Sequence, residues 1–209
     1  MKLYYFPMSP NSRRVVAVLH QLQLECEFQV VDLFKGEQLE GDMVTLNPNH
    51  MIPVLVDEDL VFWESNAIMQ YLCTKVASTP LWPANGVVQA DISRWQFWHV
   101  AHFGSTCSTL VFERLKKFLD MGEPDSAEIA RAEERFHRFA QVLERHLTGR
   151  AWLVGDNATL ADFAVGSSLG MHHIAQYPLA PYSEINRWYA QLEQIQAWQS
   201  SASEIDIEL

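Results

Sequence analysis

Two short stretches of the chain carry polar residues whose types match the charged groups of a small peptide. Glu64 and Ser65 stand between an apolar run and a helical pattern, and His50 stands shortly before Ile52 and Pro53. A carboxylate such as that of Glu64 pairs with an ammonium group, whereas the free N–H groups at a helix start beside Ser65 favour an anion. His50 supplies a partner for a second carboxylate. We therefore expect a ligand with one ammonium and two carboxylate groups.

The Ile52–Pro53 pair adds a backbone contact to this expectation. A proline after an apolar residue is ordinarily trans and is allowed at a sheet edge. If this bond is cis, the backbone of Ile52 turns outward and offers its N–H and C=O groups to a peptide-like ligand. Ser65 and Glu64 also have ordinary structural interpretations, as an N-cap and a first-turn charge. Their joint order and spacing favours the binding interpretation.

The first eighty residues alternate between strand and helix patterns. Strand-like apolar runs occupy residues 2–6, 28–31, 53–57 and 60–63. Helical spacing follows the first run and begins again at Ser65, and residues 35–46 predict a weak helix or a loop. The resulting order, β-α-β-α-β-β-α, is typical of a mixed sheet with helices packed on it. We expect this α/β domain to span residues 1–78.

The composition changes after a short linker. Thr79, two prolines and Gly86 mark residues 79–86, with Ser78 just before them, and from Val87 onward the patterns are helical. We expect a second, all-α domain of four to five helices over residues 87–209. Within it, Thr159 and Asp162 have the spacing of a capping box, which is a structural signal for the start of a helix.

Four stretches together resemble the glutathione S-transferase superfamily over nearly the whole chain. They are LYYFPMSPNSRRV, NPNHMIPVLVD, WESNAIMQYL and TLADFAVGSSL, of which the middle two are rather specific. The resemblance implies a thioredoxin-like N-terminal domain, an all-helical C-terminal domain and glutathione as the co-substrate. Within the superfamily the chain is similar to cytosolic bacterial members of the delta-like, theta-like or nu-like kinds.

The resemblance also assigns binding roles to individual residues. It places glutathione on the following side chains and backbone groups: Gln38, His50, Ile52, Pro53, Glu64 and Ser65. His50 matches the position that meets the glycyl carboxylate in delta-like and theta-like members, and Gln38 is an assisting residue. Asn66 stands where delta-like members often have Arg, which makes the γ-glutamyl pocket less positive.

The residue that activates the thiol is expected near the end of the first strand, where the superfamily uses Tyr, Ser or Cys. Ser9 matches the serine of delta-like and theta-like members, and the run Ser9-Pro10-Asn11 is similar to nu-like members. Tyr4 and Tyr5 are alternative candidates. Pro10 stands where beta-like bacterial members carry Cys, which disfavours a mixed disulfide. Hydrogen bonds of about 1.5–3 kcal/mol each, from Ser9 and Asn11 to sulfur, are enough to lower a thiol pKa by roughly two units.

Three functions are compatible with these residues. The resemblance implies, first, a glutathione transferase that stabilises the glutathione thiolate and conjugates it to a hydrophobic electrophile. The Ser-Pro-Asn run mildly favours a glutathione-dependent disulfide reductase or peroxidase of the nu-like kind. A non-catalytic interaction protein on the same fold is the third hypothesis, and the presence of the binding motifs argues against it. The resemblance further implies a homodimer and a role in detoxification.

Composition and charge bear on other partners and on the compartment. The 209 residues carry a formal net charge of −11 without a basic cluster, which disfavours nucleic acids and anionic membranes. No apolar run approaches the roughly 18 residues of a membrane-spanning helix. Three scattered cysteines cannot all pair in disulfides, so we expect a reducing cytoplasm. The histidine pairs lack a third ligand at suitable spacing, so no metal is expected.

Overall fold

Short apolar runs near the N-terminus form a mixed sheet in the computed structural model, which describes residues 1–203. The strands of this sheet are β1 (Lys2–Tyr5), β2 (Glu27–Val30), β3 (Val54–Asp57) and β4 (Leu60–Trp63). Their order across the sheet is β2-β1-β3-β4. β1 is parallel to β2 and antiparallel to β3, and β3 is antiparallel to β4.

Helices alternate with these strands as the sequence predicts. They are α1 (Pro10–Leu22), α2 (Gly41–Leu46) and α3 (Ser65–Cys73), with a 3₁₀ turn at Glu37–Leu39 before α2. The predicted order β-α-β-α-β-β-α is confirmed, and the segment that predicted a weak helix or a loop contains both short helical pieces. The α/β class expected for the N-terminal part is confirmed as well.

The buried faces of α1 and α3 pack against each other. Val15, Val18 and Leu19 of α1 and Ile68 and Leu72 of α3 have at most 1% of their surface exposed. Spacings of three and four residues place side chains on one face of a helix. Because burying each such side chain contributes about 1.5–3 kcal/mol, this contact holds the two helices together.

A second apolar cluster holds α2 and the segment before β3. Its buried members are Phe6, Val31, Met43, Ile52 and Val54. Met43 is the buried residue of α2, and Ile52 stands two residues before β3. The cluster therefore ties α2 to the loop that carries several of the candidate binding residues.

Helices also form the second compact unit, Pro80–Gln194. They are α4 (Gly86–Trp98), α5 (Gly104–Leu115), α6 (Ser126–Leu147), α7 (Leu160–Leu169), α8 (His172–Ala175) and α9 (Ser183–Leu192). A π-helical turn at His99–Phe103 joins α4 to α5. No strand lies within residues 80–194, all of which the structure describes, so the predicted all-α class is confirmed.

The last described helix, α10 (Gln196–Gln199), belongs to the first unit, which contains Met1–Thr79 and residues 195–203. The sequence analysis included these residues in the helical domain 87–209. In the structure α10 packs on α1. Trp198 is fully buried, and the guanidinium of Arg13 lies 4.4 Å from the centre of its ring. The linker at 79–86 and the exact domain limits stay predictions, and residues 204–209 lie outside the described part.

Within residues 1–203, no helix combines the length and apolar character that crossing a bilayer requires.

Thr159 and Asp162 form the predicted capping box at the start of α7. Thr159 Oγ1 accepts a hydrogen bond from the N–H of Ala161 at 3.3 Å, and Asp162 Oδ2 accepts one from the N–H of Thr159 at 2.8 Å. The buried carboxylate of Asp162 also accepts bonds from the Leu153 N–H and the Trp188 indole, both at 2.9 Å. The box therefore connects α7 to α9 and to the loop before it.

Replacing Thr159 by Ala removes a capping acceptor and is expected to lower the free energy of unfolding by about 1 kcal/mol. Denaturant unfolding of the variant and the unmodified protein measures the loss. The matched control is Thr148→Ala, at an exposed residue that follows α6, where a change within about 0.5 kcal/mol is expected. Equal losses in the two variants would contradict a capping role for Thr159.

Candidate functional site

The hydrogen-bond register of the sheet gathers the predicted site residues at one edge. Tyr4 of β1 pairs with Val54 of β3, and Val54 pairs with Trp63 of β4. The end of β1, the start of β3 and the end of β4 therefore lie side by side. The segments that leave the sheet at this edge carry Ser9, Asn11, Ile52, Pro53, Glu64 and Ser65.

Ser9 is the N-cap of α1. Its Oγ accepts a hydrogen bond from the N–H of Ser12 at 3.3 Å, and its backbone is extended, with φ −73° and ψ 122°. Pro10 is the first helical residue, and the first turn of α1 contains no acidic residue. A hydroxyl that accepts this bond keeps its own proton to donate elsewhere. Capping and a ligand contact are therefore compatible at Ser9, where the positive end of the helix dipole also favours a negative charge.

The two alternative tyrosines lie on opposite faces of the sheet, because adjacent strand residues alternate. Tyr4 packs on the apolar cluster that holds α2. Tyr5 contacts Phe28, with ring centres 5.5 Å apart, and lines a separate groove with Arg13 and His20. This placement favours Ser9 over Tyr5 as the residue that meets a ligand at the edge.

The loop before β3 is organised by Asn47, which is 2% exposed. Its Nδ2 donates to the carbonyl of Met51 at 2.8 Å, and its Oδ1 accepts from the N–H of Asn49 at 3.0 Å. The exposed His50 has φ +55°, and its N–H donates to the Asn47 carbonyl at 2.9 Å. Sequence reasoning missed Asn47, although an Asn that bonds the backbone two residues on is a common turn signal.

Ile52 and Pro53 connect this loop to β3. The Ile52–Pro53 peptide bond is cis, the isomer for which the sequence predicts an outward Ile52 backbone. The Ile52 side chain is 8% exposed and belongs to the same apolar cluster as Met43 of α2. Packing of this side chain therefore holds the backbone of the segment in place.

Gln38 lies on the 3₁₀ turn Glu37–Leu39, just before α2. The residue is half-buried, and its Oε1 is buried without a hydrogen-bond partner in the described part of the chain. An unsatisfied buried acceptor costs about 1–3 kcal/mol. A ligand N–H group that reached Gln38 would recover this free energy.

Glu64 and Ser65 form the start of α3. Glu64 is exposed and has φ +70° and ψ 105°, a conformation that costs a non-glycine residue about 1–3 kcal/mol. Its side chain makes no capping bond to α3. The N-cap side chains of α2, α5, α8, α9 and α10 also make none, whereas side chains cap the starts of α1, α4, α6 and α7. The first N–H groups of α3 are therefore left for an external anion.

Arg14 connects the starts of α1 and α3. Its guanidinium, 2% exposed, donates from Nη2 to Oδ1 of Asn11 and from Nη1 to Oδ1 of Asn66, the second at 3.4 Å. Burial lowers the pKa of Arg14 to about 9, and the negative charge of Glu64 opposes this shift. The group is therefore charged at neutral pH. Sequence reasoning missed Arg14, although its spacing of four from the buried Val18 places it on the inner face of α1.

The thiols of the chain itself are poorly suited to nucleophilic chemistry. Burial raises the pKa of Cys73 to about 12 and also raises the pKa of Cys107. The pKa of the half-buried Cys26 is raised as well, mainly by burial. Because only the thiolate is nucleophilic, a reactive sulfur at this site would have to belong to a ligand.

The histidine pairs considered as metal ligands are His99 with His102 and His172 with His173, and one histidine of each pair makes a side-chain hydrogen bond within the second unit. His99 Nε2 lies 2.7 Å from Ser168 Oγ, and His172 Nδ1 lies 2.9 Å from the carbonyl of Leu169. Over residues 1–203, no group of three or more His, Cys, Asp or Glu side chains is arranged to hold a metal ion.

Comparison with known proteins identifies both parts of the chain. Residues 3–80 match the family model for the N-terminal domain of glutathione S-transferase, and residues 96–195 match that for the C-terminal domain. Glutathione S-transferase 3 from Zea mays is 40% identical over 164 residues, which cover 78% of this chain and 73% of the relative.

Solved structures show the same architecture. Glutathione S-transferase III in its apo form superimposes with a TM-score of 0.84 at 34% identity and covers 100% of this chain and 99% of its own. Glutathione transferase F7 from Populus trichocarpa superimposes with a TM-score of 0.87 at 26% identity over 96% of each chain. These matches confirm the resemblance carried by the four sequence stretches, and the chain belongs to the glutathione S-transferase superfamily.

Proposed function

We propose that the protein is a glutathione transferase that activates the thiol of glutathione and joins it to a hydrophobic electrophile. Family membership supports glutathione as the co-substrate. The observation that carries the proposal is the uncapped start of α3 next to the exposed carboxylate of Glu64. An anion site beside an ammonium partner matches the carboxylate and amino group of the γ-glutamyl residue.

Glutathione is an extended tripeptide, and the groups at the sheet edge suit its order of functional groups. Its γ-glutamyl end is assigned to Glu64 and Ser65, and its cysteinyl backbone to the N–H and C=O groups of Ile52. Its glycyl carboxylate is assigned to His50, with Gln38 as a further polar contact. The strained backbone of Glu64 supports this assignment, since such strain concentrates at functional sites.

Ser9 and Asn11 are proposed to stabilise the thiolate. A free thiol has a pKa near 8.5, so only a few per cent is ionised at neutral pH. Lowering that pKa by two units takes about 2.7 kcal/mol. The Ser9 hydroxyl and the exposed Asn11 amide supply two donors, and hydrogen bonds to a charged sulfur contribute about 1.5–3 kcal/mol each. The uncompensated dipole of α1 acts in the same direction.

The reaction that follows is nucleophilic substitution or addition at carbon. The thiolate donates an electron pair to the electrophilic carbon and a carbon–sulfur bond forms. With a halogenated aromatic, the carbon–halogen bond breaks and the halide leaves with its electron pair. Holding both reactants together contributes to the rate by making the encounter intramolecular.

A comparison of three substrates, each with glutathione, tests this function. They are a halogenated aromatic, an organic hydroperoxide and a mixed glutathione disulfide, and the proposal expects the fastest turnover with the first. Faster turnover of the disulfide or the hydroperoxide would favour the reductase or peroxidase hypothesis. Binding of glutathione without turnover of any of the three would favour a non-catalytic role.

Glu64→Gln sharpens this test, because it removes the charge expected to pair with the ammonium group. Loss of about 1.4 kcal/mol corresponds to a tenfold weaker interaction, so the KM for glutathione should rise about tenfold. The matched control is Glu58→Gln, which removes another exposed charge, from the β3–β4 turn and also at positive φ. Equal KM values in the two variants would contradict the assignment of Glu64.

Ser9→Ala removes a donor to the sulfur and is expected to raise the pKa of the bound glutathione thiol by about one unit. The absorbance of the thiolate, recorded as a function of pH, measures this pKa. The control is Thr159→Ala, which loses a helix cap of similar strength (about 1 kcal/mol) in the second compact unit, whereas the sheet belongs to the first. An unchanged titration in Ser9→Ala would transfer the role to Asn11.

We also propose that the protein is a homodimer. The resemblance to the superfamily implies this assembly, and large apolar side chains are exposed on both units, among them Met51 at 67%, Phe97 at 72% and Val87 at 82%. Sedimentation equilibrium is expected to give twice the 24.0 kDa of one chain. A mass near 24.0 kDa would contradict the dimer. The cytoplasmic location and the role in detoxification stay predictions from the sequence.

A further inference from the structure

We propose that Arg14 is a positioning residue that orients the amide of Asn11 toward the glutathione sulfur, an inference that rests on the proposed function. Arg14 is 2% exposed on α1. Its guanidinium bonds the side chains of Asn11 and Asn66, one at the start of each helix that begins at the sheet edge. Arg14 itself does not contact the substrate and acts through these two amides.

The donors of the Arg14 guanidinium determine which end of the Asn11 and Asn66 amides faces away from it. A guanidinium has donors only, whereas an amide has an acceptor oxygen and a donor NH₂ group. Both Asn11 and Asn66 therefore present Oδ1 to Arg14, as observed. Their NH₂ groups are consequently directed away from Arg14. For the exposed Asn11 this leaves two N–H donors available to a ligand.

The same arrangement compensates for the neutral residue after Ser65. Asn66 cannot supply a positive charge at the start of α3, but its Oδ1 accepts a hydrogen bond from the positively charged guanidinium of Arg14. The charge of Glu64 acts on Arg14, so the two charges are close enough to interact. One buried cation thus orients two donors, one toward the proposed thiol site and one at the proposed γ-glutamyl site.

A purely structural role accounts poorly for Arg14. Its hydrogen-bond partners given above are neutral amides, and its Nε is buried without a hydrogen-bond partner among the described residues. Burying a charge with incomplete compensation is unfavourable for folding. Ala17 and Val18, three and four residues further along α1 on the same face, are buried and apolar, so an apolar side chain would suit this packing.

A double-mutant cycle on the thiol pKa tests the inference. Arg14→Met and Asn11→Ala are each expected to raise the pKa of bound glutathione by about one unit. Arg14→Met is expected to have no further effect when Asn11 is already Ala, because Arg14 acts through that amide. The matched control is Arg13→Met, at a neighbouring arginine that contacts Trp198 and Ser201 instead, which should leave the thiol pKa unchanged.

Asn11→Asp keeps the test decisive if Arg14→Met fails to fold. A carboxylate still accepts from Arg14 but has no N–H to donate. The unfolding temperature is therefore expected to be no lower than that of the unmodified protein, while the thiol pKa rises by more than one unit. An unchanged thiol pKa in Asn11→Asp, or in Arg14→Met if it folds, would overturn the inference.

Calorimetry with glutathione on the unmodified protein tests the proposed function separately from the positioning role of Arg14. Binding with a normal thiol pKa response in the Arg14→Met and Asn11→Asp variants would refute only the positioning role. Absence of binding would refute the proposed function, and the positioning role with it.

Discussion

The hydrogen-bond register between β1, β3 and β4 determines where the candidate site residues lie. The row Tyr4–Val54–Trp63 runs across three strands, so the loops and helices that follow these strands start from one edge. A slip of one residue would turn every side chain of a strand to the opposite face. It would also separate the starts of α1 and α3, which Arg14 now joins through two hydrogen bonds.

The local field at this edge differs from the charge of the whole chain. A net charge of −11 repels an anionic peptide at long range. The starts of α1 and α3 oppose that charge locally, since each offers backbone N–H donors and the positive end of a helix dipole over a short distance. Backbone N–H groups and fixed side chains supply these donors without a flexible cluster of basic side chains. The arrangement suits a small ligand whose charges must be placed in a fixed order.

Much of the fold and of the candidate site could be predicted from the sequence because the relevant signals are local. The alternation of strands and helices along the chain, the Ser9 and Pro10 helix start and the Thr159 capping box depend on residues that are close in sequence. Arg14 and the placement of α10 could not be predicted in the same way. The role of a buried arginine depends on which side chains the fold brings to it, and α10 packs on a helix nearly two hundred residues earlier in the chain.

A crystal structure of the protein with glutathione tests the central claim most directly. The account predicts the γ-glutamyl carboxylate within hydrogen-bond distance of the first N–H groups of α3, the ammonium beside Glu64 and the sulfur within reach of Ser9 Oγ. The Ile52 backbone should bond the cysteinyl residue. Glutathione bound away from the edge where β1, β3 and β4 meet, or an empty edge at saturating glutathione, would contradict the account.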